Sequence, residues 1–122
     1  MNTTDFQADD ALNLEKLAER MEEEAVRQGF GLDLGTHVTE TLRQIAGKIR
    51  REWTTPGNRE TFTDEEVARL RASVRNLQET ALPLVGRDDV SQNERDDAKL
   101  KLHFADAVAR VADVIERRLR SG

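Results

Sequence analysis

The chain has 122 residues, of which 37% are hydrophobic and 35% charged, with a net charge of −5 and no cysteine. That size can bury a single core. Without cysteine, disulfides, thiolate metal sites and cysteine nucleophiles are excluded. No apolar run approaches the ~18 residues of a membrane span. Met1 to Asp10 lacks the basic start and apolar centre of a signal peptide, so the cytoplasm is the expected location.

Charge is unevenly distributed. Residues 1–35 hold nine acids against three bases, and the remainder holds fifteen acids against sixteen bases. Nonspecific nucleic-acid binding needs a basic surplus, which is missing, so nucleic acid is not an expected partner. Arg outnumbers Lys fifteen to four. Arg suits bidentate contacts to carboxylate or phosphate.

Residues 1–8 read as a flexible tail whose one sizeable apolar side chain is Phe6, and 9–122 as one bundle domain. Asp9 or Asp10 is placed to cap a first helix over about 10–28. Leu14, Leu17, Ala18, Met21 and Ala25 share one of its faces. Gly29 suits a helix stop. The link from Gly29 to Gly35 alternates glycine with Phe30, Leu32 and Leu34. Those three side chains either plug the bundle end or form a lip for a partner. Gly29 and Gly31 lack the third glycine and the preceding strand of a dinucleotide fingerprint.

Thr36 is placed to cap a second helix over about 37–53. Val38, Leu42, Ile45, Ala46, Ile49 and Trp53 cover about 100° of its circumference. Trp53 is expected to pack in the core or at its edge. Gly47 falls on the outer face, where it costs ~1 kcal/mol relative to Ala or permits close approach by another backbone. Pro56-Gly57-Asn58 marks a loop. Phe62-Thr63-Asp64-Glu65-Glu66-Val67 is a complete helix start, with a capping box between Thr63 and Glu66 and a staple between Phe62 and Val67. The third helix follows over about 64–82, with Val67, Leu70, Val74, Leu77 and Ala81 inward and Pro83 as its stop.

Ser91 and Glu94 offer another capping box before a fourth helix over about 92–119, ~42 Å long. Its apolar arc runs through Leu100, Phe104, Val108, Val111, Ile115 and Leu119. Flanking alanines, Leu102 and Val114 widen it to about 240°, against the ~100° a surface helix needs. That helix is therefore central or meets a second molecule, which suggests a homodimer with Leu102 at its margin. The sequence thus predicts an all-α, antiparallel bundle of four main helices.

Candidates for chemistry are few. His37 opens the second helix and His103 lies on the polar side of the fourth, but neither sits in the H-x-L-K-G pattern of histidine phosphotransfer domains. Arg95-Asp96 followed by His103 is similar to the Arg–polar–His pattern of the HEPN ribonuclease family, which implies an all-helical ribonuclease. Seven residues separate Arg95 from His103, more than the family's spacing. An offset of eight turns His103 about 80° from Arg95 and ~12 Å along the axis. Glu15, Glu19 and Glu22 form an acidic stripe, and Glu94 with Asp97 a second acidic pair. Paired acids of this kind resemble those of the helical nucleotide pyrophosphohydrolases, which implies Mg²⁺ chemistry. Here, however, the pairs lie on distant helices rather than in one hairpin. The basic clusters Lys48-Arg50-Arg51 and Arg117-Arg118-Arg120 lie near helix C-termini, where cations oppose the negative dipole end.

The residues favour a noncatalytic protein-interaction module, an adaptor, inhibitor or regulator, with no cofactor and no metal expected. The expected partner is another protein or a second copy. Its contact residues would be drawn from Phe30, Leu32, Leu34, Leu102, Glu15, Glu19 and Glu22. The alternatives are a divergent helical enzyme of the two kinds above and an acidic mimic of nucleic acid.

Overall fold

The computed structural model describes residues 5–28, 36–55 and 57–121, leaving aside the side chains of 25–28 and 36–37. Four helices, α1 (Ala8–Gln28), α2 (Thr36–Thr54), α3 (Asp64–Val85) and α4 (Gln92–Ser121), form an all-α bundle, with no strand among the described residues. Each helix packs on two others, in the ring order α1, α2, α3, α4 and back to α1. The diagonal pairs are not backbone neighbours.

The predicted stripes line the core. Leu14, Leu17 and Ala18 of α1 meet Leu42, Ile45, Ala46 and Ile49 of α2, all but solvent-free. Val67, Leu70, Val74 and Leu77 of α3 join Phe104, Ala105, Val108, Val111, Ala112, Val114 and Ile115 of α4 in the same cluster. Met21 and Val38 pack against its margin. Ala25, the Thr36 cap, the His37 side chain and the Gly29–Gly35 link with Phe30, Leu32 and Leu34 lie outside the described residues.

The start of α3 follows the sequence signal atom for atom. The Glu66 amide donates to Thr63 Oγ1 at 3.2 Å, and the Thr63 amide donates to Glu66 Oε1 at 2.8 Å. Phe62 and Val67 are both buried on either side of this box. At α4 the forward half of the second box is present, the Glu94 amide donating to Ser91 Oγ at 3.2 Å.

Five expectations change. Asp10 does not cap α1 from outside, because the helix already begins at Ala8. Its carboxylate reaches back instead and accepts from the Gln7 amide at 2.7 Å. The expected tail does not include Phe6, which is 2% exposed and in the core cluster. Pro83 does not close α3, which runs on to Val85. A proline removes the hydrogen bond to the residue four before it, and here that turn is the exposed Glu79. Trp53 is not core but 41% exposed, and its neighbour Glu52 takes the inner position at 2%. Finally, α4 is not central. It is one corner of the ring, between α3 and α1, and two neighbouring helices rather than three consume most of its wide arc.

Leu42→Ala or Ile45→Ala is expected to cost about 2–5 kcal/mol in urea unfolding, because each leaves a cavity in a solvent-free layer. Thr63→Ala should cost ~0.5–2 kcal/mol through loss of the cap.

Candidate functional site

Two polar assemblies dominate the molecule. The first closes one end of the bundle, where the segment before α1, the last turn of α2, the 57–63 segment and the last turns of α4 meet. Arg118 of α4 grips Glu52 of α2 with two parallel bonds, Nη1 to Oε2 at 2.6 Å and Nη2 to Oε1 at 2.9 Å. The Arg118 side chain is 10% exposed. Its guanidinium lies 4.7 Å from the Phe6 ring centroid and 5.8 Å from that of Phe62. The two rings are themselves 5.6 Å apart. Glu52 Oε2 also accepts from the Glu60 amide at 2.8 Å, which anchors the segment leading into α3. The Glu52 carboxylate, ahead of the opposing effect of burial, raises the Arg118 pKa above the usual arginine value, so the guanidinium stays charged.

Around this clasp, Lys48 donates to the Thr61 carbonyl at 2.7 Å and pairs with Glu66 at 3.0 Å. Glu66 therefore serves both the α3 cap and the α2–α3 contact. Arg51 pairs with Glu60 at 2.9 Å. Hydrogen bonds from Asn58 and then Arg51 hold the Glu60 pKa below its ordinary 4.5. This contribution to stability is present above that value and is lost as the pH falls through the lowered pKa.

The second assembly is the outer face of α1 and α2. Arg50 pairs with Glu15, and Arg43 with Glu22 at 2.6 Å. These pairs fix an antiparallel register that sets Glu19 level with Gly47, and Leu12 level with Trp53. An open groove of about 340 Å³ runs between the helices, lined by Glu15, Glu19, Arg43, Gly47 and Arg50. Glu19 has no hydrogen bond or ion pair among the described residues. Leu12 is 43% exposed and Trp53 41%. The acidic stripe is thus not a free acidic surface, since arginines of α2 neutralise two of its three members.

The remaining candidates do not assemble. Glu19 and Glu22 face α2, whereas Asp97 lies on the α1–α4 seam, paired with Arg20 and with Lys101 at 3.4 Å. Among the described residues, no three His, Asp or Glu side chains converge as metal ligands. Arg95 donates to Gln92 at 3.2 Å, and His103 stands exposed beside Phe104. Leu102 is half-buried, with Leu100 36% and Leu82 60% exposed on the exterior of α4 and α3. Among the described residues, no helix is long and apolar enough to cross a membrane.

The basic clusters also gain a structural role. Lys48, Arg50, Arg51, Arg118 and Arg120 all pair with acids of the same chain. The sequence signal for the clasp was weak but present, namely a lone Glu beside the apolar line of α2 and an Arg beside that of α4. In comparisons with protein families, curated proteins and solved structures, nothing matches this chain.

Arg118→Leu alone is expected to cost about 3–5 kcal/mol, because it strands the Glu52 carboxylate in the interior. Adding Glu52→Leu should recover most of that loss but not all, since the Glu60 amide then lacks its acceptor. Urea denaturation of the two single variants and the double variant reads this non-additivity.

Proposed function

We propose that this protein is a noncatalytic helical module that acts by presenting its outer surface to another protein, as an adaptor, inhibitor or regulator. One observation carries the reading. The polar groups that would do chemistry are spent on one another, while large apolar side chains stand outside. Asp97, Glu22, Glu15, Arg50 and Arg118 are tied into interhelical pairs. Leu12, Trp53, Leu82 and Leu100 are left exposed on the helices. Exposed apolar groups beside polar rims are what a binding surface requires. The pairing of Glu15 and Glu22 weakens the acidic-mimic alternative, and the separation of Glu19 from Asp97 weakens the Mg²⁺ hydrolase. The absence of cysteine supports a cytoplasmic setting.

Self-association through α4 is a second reading. It is supported by the half-buried Leu102 and the exposed Leu82 and Leu100.

Capture from cells of the source organism, followed by mass spectrometry, tests the module reading when parent and surface variants are compared. A protein retained by the parent and lost with Trp53→Ser or Leu82→Ser, at unchanged helical circular dichroism, is the expected result. Identical capture by all three would remove the support. Nucleotide turnover with Mg²⁺ or Mn²⁺ that disappears in Glu19→Gln and Asp97→Asn would replace this reading with an enzyme.

A further inference from the structure

We propose that the outer face of α1 and α2 is an isologous interface between two copies of this chain, related by a two-fold axis parallel to the helices. The inference rests on the interaction-module reading and names the partner of one face.

Two features of the face point to a second copy. Its charge is segregated by helix, with Glu15, Glu19 and Glu22 on α1 and Arg43 and Arg50 on α2. A two-fold axis along the helices lays α1 of each copy over α2 of the other, antiparallel as within the chain. In the register fixed by the Glu15–Arg50 and Glu22–Arg43 pairs, the same partners then meet across the interface. Each level becomes a ring of four alternating charges. Each side chain, paired within its own copy, still has surface to offer the ring, Glu15 and Glu22 being 41% and 38% exposed and Arg50 and Arg43 53% and 52%. An axis perpendicular to the helices would instead stack acid on acid, which like-charge repulsion disfavours.

The second feature is Gly47. A Cβ there would meet only the flexible end of Arg51, at 3.5 Å, an ordinary contact. The chain's own fold therefore does not require glycine in the middle of α2, where it is unfavourable. Across the two-fold, Gly47 stands level with Glu19 of the other copy and leaves room for it. That carboxylate then lies between Arg43 and Arg50. A two-fold contact is the commonest closed solution for self-complementary surfaces.

Sedimentation equilibrium at micromolar concentration should give the mass of two chains. A variant carrying Glu15→Arg, Glu22→Arg, Arg43→Glu and Arg50→Glu together keeps every pair within the chain and should also dimerise with itself. Mixed with isotopically labelled parent, it meets like charge at every level. Mixed dimers should fall about tenfold or more below their statistical share in native mass spectrometry. A single-chain mass throughout would overturn the interface, and would leave the module reading to the capture experiment. Mixed dimers at the statistical share, or dimers abolished by Leu102→Glu, would also overturn it. The latter result would move self-association to α4.

Discussion

A carboxylate that is 2% exposed has to be paired, and the pairing of Glu52 with Arg118 organises one whole end of this bundle. Burying either ion alone would cost several kcal/mol. Burying both in a two-bond grip, with the guanidinium against two phenyl rings, satisfies charge, hydrogen bonding and packing at once. Helices α2 and α4 stand diagonally across the ring and share no backbone contact, so this pair links them directly. The same carboxylate holds the Glu60 amide and the same guanidinium covers Phe6. The segment before α1 and the connection into α3 are therefore fastened at one point. A buried ion pair adds little net stability over an apolar one. Its effect here is positional, because only one arrangement of four chain segments satisfies it.

Elsewhere charge is used differently. The pairs between α1 and α2, between α1 and α4, and from Arg71 to Asp113 and Glu116 between α3 and α4 lie mostly on the rims. Exposed pairs of this kind contribute roughly 0–1 kcal/mol each. The fold is carried by the apolar layers, and the rim pairs set register between neighbours. Glu15–Arg50 and Glu22–Arg43 give α1 and α2 a single alignment, and that alignment decides what the outer face displays. A glycine stands opposite a glutamate that has no ion pair among the described residues.

The polar groups at the two ends of α2 are placed differently. An active site gathers polar groups that are buried enough to be perturbed yet left with an open valence for substrate. In this bundle the buried polar groups, Glu52, Glu66 and Asp10, are engaged with protein partners. Glu19, which is open, is exposed to solvent.

What the sequence determined by itself was everything written in spans of three or four residues. The apolar stripes of all four helices and the Thr63–Glu66 box are local patterns, fixed by helical geometry before any tertiary contact forms. The helix ends followed to within about three residues, which is the usual uncertainty of such boundaries. Tertiary structure decided what depends on distant partners. That Glu52 rather than Trp53 turned inward could not be read from α2, where Trp53 lies on the apolar line and Glu52 beside it. Arg118, sixty-six positions away, settled it by supplying a counter-ion. Phe6 read as tail because its neighbours, Phe62 and Arg118, lie in other elements. The wide arc of α4 read as surplus because nothing local shows how many neighbours a helix will have. The acidic stripe of α1 read as free because the arginines opposite it belong to α2. In each case the pattern names the residue that must be buried or paired, and only the packing of helices names its partner.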